Sequence, residues 1–151
     1  GKPIFHYVAG KYKPLTYQQK ATEESFAAIE ELIALSKEHN FSLTFFISPF
    51  YSQTYLNNAE ALFKIKERLA RLTDYYDFSG FNSVTTSAMN YYEESHYRYL
   101  VGDMMIKRMF GTGDRALPDD FGVLVTKQNV NGHLEKQKRE LFQYRQEHNL
   151  N

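Results

Sequence analysis

The chain predicts an α/β fold: a small parallel sheet with crossover helices, three-layer in type. Two observations carry this. Several stretches repeat apolar residues at helical spacing, and short runs rich in β-branched and aromatic residues lie between them. Their order is helix, strand, helix, strand, helix, which joins parallel strands through crossover helices.

Residues 1 to 15 read as irregular, with Pro3, Gly10 and Pro14. Thr16 opens the first helix, and Gln19 three residues on completes a capping box. Phe26, Ile29, Ile33 and Ser36 follow at helical spacing, and Leu32 widens the stripe. Asn40 suits a left-handed stop. Leu43 to Ile47 reads as a buried strand, ended by Ser48-Pro49-Phe50-Tyr51. A second helix is expected from about Asn58 to Leu72, with Leu62, Ile65, Leu69 and Leu72 as its stripe. Tyr75 to Phe78 is the second strand, and a polar loop, Ser79 to Ser95, follows it. The helix Tyr99 to Phe110 buries Leu100, Val101, Met104, Met105 and Met109, and Gly111 stops it.

Residues 111 to 122 form a Gly/Pro/Asp-rich loop. Val123-Leu124-Val125 is either a short strand or a packed extended segment. A last helix, about Asn131 to His148, carries Leu134, Leu141 and Phe142 on a narrow stripe among many charges. It is expected to pack peripherally or against a partner. The organisation is thus an N-terminal segment (1–15), an α/β domain (16–128) and a C-terminal helix (129–151). So small a sheet has exposed edges, to be covered by a missing segment or a second chain.

The 151 residues amount to one domain, long enough to bury a core. Formal net charge is zero, which disfavours nucleic acid and anionic membrane as partners. No apolar run approaches the roughly 20 residues of a membrane span. The start, Gly1-Lys2-Pro3, carries neither an initiator Met nor a signal-peptide pattern, so the chain is expected to be cut from something longer. No cysteine is present, which removes disulfides, thiolate metal sites and a Cys nucleophile. Twelve Tyr and twelve Phe without Trp fit a core plus an amphipathic surface. A carbohydrate or partner surface is the other reading.

In open α/β sheets, ligands sit beyond the carboxyl ends of the strands. Two loops qualify, Ser48 to Tyr55 and Ser79 to His96. The second contains Tyr91-Tyr92-Glu93-Glu94-Ser95-His96-Tyr97-Arg98. Glu93 and His96 are candidate catalytic residues. A carboxylate bonded to one imidazole nitrogen fixes the tautomer and frees the other nitrogen to accept a proton. The competing reading is a solvated loop histidine. Arg98 is either an anion-binding group or a salt-bridge partner of Glu94. Tyr75-Tyr76 and Tyr91-Tyr92 either line a sugar groove or pack. Gly111-Thr112-Gly113 follows a helix instead of opening one, against a phosphate loop. His96 has Glu93 and Asp103 in reach as metal co-ligands but no second His at ligand spacing. No metal and no cofactor are expected.

The segments Phe46-Ile47-Ser48-Pro49, Asp77-Phe78-Ser79-Gly80-Phe81 and Glu94-Ser95-His96-Tyr97-Arg98, with Val101-Gly102-Asp103 after them, resemble the C-terminal half of SGNH (GDSL-like) hydrolases. The similarity covers roughly residues 43 to 110. It is nearest to bacterial cell-envelope members like alginate O-acetyltransferases and D-alanyl transfer proteins. It implies a partial flavodoxin-like domain, with His96 as general base and Glu93 where the family has Asp. The family's Gly-Asp-Ser-type turn has no match in residues 1 to 42, and its Gly and Asn oxyanion donors have no counterparts. The nucleophile is then a serine upstream of Gly1, or Ser48 or Ser79, or it has been lost. Tyr97, Arg98 and Ser79 are the expected substrate-binding residues.

The resulting expectation is an acyl-ester hydrolase or O-acyltransferase-like domain, incomplete in this chain. Its partner would be a glycan or acyl ester, its sheet edge would be covered by a second copy or an upstream domain, and its location by resemblance is periplasmic or cell-envelope. The alternative is a non-catalytic interaction or assembly module derived from the same fold.

Overall fold

The structure, a computed structural model, describes residues 19–150. The expected irregular segment and the Thr16 cap lie outside these residues. The order is α1 (Gln19–Glu38), β1 (Phe45–Ile47), α2 (Ser52–Leu72), β2 (Tyr75–Asp77), a 3-10 turn (Ala88–Asn90), α3 (Tyr99–Phe110), β3 (Val123–Val125) and α4 (Val130–Glu147). Asn40 adopts φ 54° and Gly111 φ 70°, the left-handed stops that end α1 and α3. The second helix begins six residues before the expected Asn58. Asn58 is accommodated inside it by donating its side-chain amide to Thr54 O at 2.7 Å.

The sheet has the order β1-β2-β3 and is mixed. β1 and β2 are parallel, with Phe45, Phe46 and Ile47 opposite Tyr75, Tyr76 and Asp77. β3 runs antiparallel to β2, with Val123 opposite Asp77. This corrects the expectation of an all-parallel sheet. The reason lies in the loop after α3. Arg108 donates to Phe121 O and Pro118 O, both at 2.9 Å, and so holds the returning chain. The chain enters β3 beside the carboxyl end of β2 and can only run back along it.

One face of the sheet presents Tyr75 and Val125 to a core that includes Phe26 of α1, Leu62 and Leu69 of α2, and Leu134 of α4. On the other face, Tyr76 packs on a second cluster containing Phe78, Phe121, and Val101 and Met105 of α3. Helices therefore cover both faces. The last helix corrects two expectations. α4 is part of the main core rather than peripheral, burying Val130, Leu134, Gln137 and Leu141 at spacings of four, three and four. Phe142 falls off that stripe and is 63% exposed.

Gly122 sits at φ +87°, where a Cβ would meet Phe78 Cε1 at 2.5 Å and Arg108 Cγ at 2.9 Å. Gly122→Ala combines a strained backbone with a clash against the second core. It should lower folding free energy by about 1–3 kcal/mol, measured by urea denaturation. Tyr55 is fully buried, and its hydroxyl has no hydrogen-bond partner among the described residues. An unpaired buried hydroxyl costs free energy, so Tyr55→Phe should leave stability unchanged or raise it by about 1 kcal/mol. A clear loss in the same denaturation experiment would contradict the orphaned hydroxyl.

Candidate functional site

The two loops singled out by sequence meet beyond the carboxyl end of β1. Tyr91 is buried and donates its hydroxyl to Pro49 O at 2.8 Å, while its ring lies 5.5 Å from that of Tyr51. Ser52 N donates to Thr85 O at 2.9 Å, and Thr54 Oγ1 to Glu94 O at 3.3 Å. The segment from Asn90 to Arg98 folds back on itself. Tyr91 and Tyr97 form an antiparallel bridge, Tyr92 N donates to His96 O at 2.9 Å and Arg98 N to Asn90 O at 2.8 Å. Closing this turn places Glu93 and His96 side by side at its tip.

The Glu93 carboxylate contacts His96 Nδ1. Ser95 supplies its hydroxyl at 3.0 Å and its backbone N–H at 3.3 Å to the same Glu93 oxygen. Partial burial pushes the Glu93 carboxyl up, but the bonds from Ser95 and His96 outweigh it and hold the group below its ordinary value. An ionised carboxylate only accepts, so Nδ1 carries the hydrogen, and in the neutral imidazole the lone pair is then on Nε2. The His96 side chain is 79% exposed and that of Glu93 38%. This is an oriented imidazole facing solvent.

The other expected residues divide. Tyr97 is half-buried and packs on the second cluster. Arg98 precedes α3, donates Nε to Tyr91 O at 3.4 Å and lies 5.6 Å from the Tyr92 ring centre. Ser48 is half-buried, and its carbonyl accepts from Phe50 N at 3.0 Å. Ser79 is elsewhere altogether. It is buried in a polar cluster that sequence reasoning did not find.

That cluster centres on Asp77, the last residue of β2. Lys66 of α2 lies 2.8 Å from Asp77 Oδ2, and both side chains are fully buried. Lys66 Nζ also donates to Ser79 Oγ at 2.6 Å and to Gln137 Oε1 at 2.8 Å. Three acceptors around one nitrogen match the three hydrogens of an ammonium. Asp77 Oδ2 further accepts from Gln137 Nε2 at 3.1 Å and contacts His133 Nε2 at 2.8 Å. Asp77 Oδ1 accepts from Ser79 N at 3.0 Å and Ser79 Oγ at 2.7 Å. Ser79, His133 and Gln137 also line a cavity of about 80 Å³ that includes Asp120 and Glu140.

A serine hydroxyl 2.6 Å from a lysine invites comparison with a Ser–Lys nucleophile. The chemistry does not fit. Such a lysine must be a neutral base with no acid to hold its proton, whereas Lys66 lies 2.8 Å from the Asp77 carboxylate, which favours the charged form. The Ser79 hydroxyl is already directed at Asp77. His133 contacts the carboxylate and not the serine, so the order of a catalytic triad is absent too. This cluster holds the fold together. It ties α2 and α4 to the end of β2.

Burial alone would push the Asp77 carboxyl up. The Lys66 charge and the bonds from His133 and Lys66 more than reverse that and hold it far below the usual carboxylate range. Burial holds the Lys66 ammonium below its ordinary value, and the Asp77 charge and hydrogen bond offset this only in part. For Asp77 the sign of the linkage is clear. Its folded-state value is depressed, so its stabilisation is present above the unfolded value of about 3.9 and is lost as pH falls below it. The urea midpoint should therefore drop between about pH 4 and pH 2. In Asp77→Asn that drop should shrink. An equally steep drop in the variant would show that other carboxyls cause it.

The two polar core positions were visible as breaks in apolar stripes. Lys66 stands between Leu62 and Ala70 at four-residue steps, and Gln137 between Leu134 and Leu141. Among the described residues no group of three His, Asp or Glu side chains is arranged to hold a metal ion. No described helix is long and apolar enough to cross a membrane. No family model, no curated protein and no solved structure matches the chain.

Proposed function

We propose that the Asn90–Arg98 turn is the general-base half of an acyl-ester hydrolase or O-acyltransferase site of the SGNH type, acting on cell-envelope glycan or a related ester. One observation carries the reading: Glu93 holds His96 through Nδ1 and leaves Nε2 open to solvent, beyond the carboxyl end of β1. An imidazole so held can take a proton from an attacking hydroxyl and return it to the leaving oxygen. Arg98 and Tyr97 flank it. The serine it would activate comes from polypeptide outside these 151 residues or, less directly, from Ser48. Ser79 and Ser95 are poor candidates, because Lys66 and Asp77 engage the first hydroxyl and Glu93 the second.

The second reading is a non-catalytic interaction module on the same fold. The engagement of both of those serines favours it. Turnover of a chromogenic acetate ester by the full-length protein, with and without His96→Ala, separates the two. Equal rates support the module.

A further inference from the structure

The cavity beside Asp77 has a wall that the buried ion pair leaves unused. It lies past the carboxyl end of β2, where open α/β sheets receive ligands. Its volume of about 80 Å³ is well above the roughly 10–15 Å³ that one water needs, and holds a small organic group. His133 lines it from α4 with a side chain only 9% exposed. Nε2 of this imidazole meets the Asp77 carboxylate at 2.8 Å. A carboxylate only accepts, so Nε2 carries the hydrogen, and in the neutral ring the lone pair is on Nδ1. Nδ1 has no hydrogen-bond partner among the described residues, yet it is not sealed in packing: the sealed, unpartnered side-chain atom there is Tyr55 Oη. His133 is thus an acceptor held from behind and open in front.

The other charged groups of the cavity share that polarity. Asp120 accepts from Ser83 N at 2.7 Å and from Ser83 Oγ at 2.6 Å, and each of its oxygens keeps a further lone pair. Glu140 lies 3.6 Å from Lys136, whose side chain is 65% exposed. Two carboxylates therefore face one lysine, and that lysine leans into solvent. Phe81 adds an aromatic wall, braced by stacking on Tyr144 with ring centres 4.1 Å apart. From this we infer that the cavity binds the head of a small primary ammonium compound. Its N–H donors go to His133 Nδ1 and to the carboxylates of Asp120 and Glu140. Its charge offsets theirs, and the Phe81 ring attracts an organic cation. A metal ion does not suit the site, because no three His, Asp or Glu side chains among the described residues are arranged to hold one. An alkylammonium is larger and its hydrogen bonds are longer than metal–ligand bonds, so it reaches acceptors set farther apart. His96 plays no part, and the inference does not depend on the esterase reading.

Ethylammonium chloride is the probe. It is titrated into the full-length protein at about pH 8, above the range in which an ordinary imidazole takes up its proton. The ring signals of His133 are followed by NMR and assigned by their absence in His133→Gln. They should shift and saturate with ethylammonium, and stay in place with sodium chloride at equal ionic strength. Asp120→Asn and Glu140→Gln should each raise the Kd by about 10-fold, the worth of one charge-assisted hydrogen bond. Neither variant touches the Lys66–Asp77 pair, so both keep the test open where His133→Gln unfolds. A shift that does not saturate, or that sodium chloride reproduces, would overturn the inference. So would saturation by sodium acetate in place of ethylammonium, because His133 would then be receiving an anion. An unchanged Kd in both carboxylate variants would overturn it as well. None of these results bears on the ester assay of His96→Ala, so the two ideas fail separately.

Discussion

Asp77→Ala should cost about 3–5 kcal/mol of folding free energy, the typical loss when one partner of a buried ion pair is removed. Asp77 accepts from Ser79 N, Ser79 Oγ, Lys66 and Gln137, and contacts His133. Without it, the Lys66 amine is left fully buried with no counter-charge and must stay charged at a cost or give up its proton, and the donors of Ser79 and Gln137 lose their acceptor. A domain of this size has about 5–15 kcal/mol in all, so the variant would be near its folding threshold. The double variant Lys66→Met/Asp77→Leu should recover much of the loss, since an apolar pair needs no desolvation of charge. Recovery will be partial, because Ser79 N and Gln137 still lack their acceptor. Urea denaturation of the two singles and the double measures this. A loss under about 1 kcal/mol for Asp77→Ala would mean the pair is not buried as described.

His96→Ala in the full-length protein should reduce ester cleavage by about 100- to 10,000-fold, the usual contribution of a positioned general base. On the proposed function the effect falls on kcat, since a general base acts on the proton in transit and not on the bound ester. Stability should be unaffected, within about 0.5 kcal/mol, because the side chain is 79% exposed and makes its hydrogen bond at the surface. A variant that folds normally and turns over ester at the wild-type rate would reject the base assignment.

Sequence pattern located α3 to the residue, and it placed β1 and β2 within two residues. These elements are legible because each is decided locally. A stripe with a three-to-four repeat, a left-handed stop at Asn40 or Gly111, or a short aromatic run admits one reading. The turn at His96 was legible for the same reason: Glu93, Ser95 and His96 are close in the chain, and their contacts need only one tight turn. The polar cluster was not. Lys66, Asp77, Ser79, His133 and Gln137 come from three separate parts of the chain. A lysine on a helix is normally solvated, so the break that Lys66 makes in its apolar stripe names no partner until α2 and α4 dock on β2.

By itself, the sequence determined an α/β alternation, the ends of α3, the two loops at the carboxyl ends of the strands and the Glu93–His96 spacing. The tertiary structure alone decided the direction of β3, the burial of α4 and the ion pair at the heart of the sheet. The physical reason is range. Backbone propensity and hydrophobic period act over a turn or two of chain, and they print themselves on neighbouring residues. Strand direction and the pairing of buried charges are set by which surfaces meet after the chain has closed on itself. Arg108 fastening the loop before β3, and Asp77 reaching Lys66 and Gln137, are contacts of that second kind.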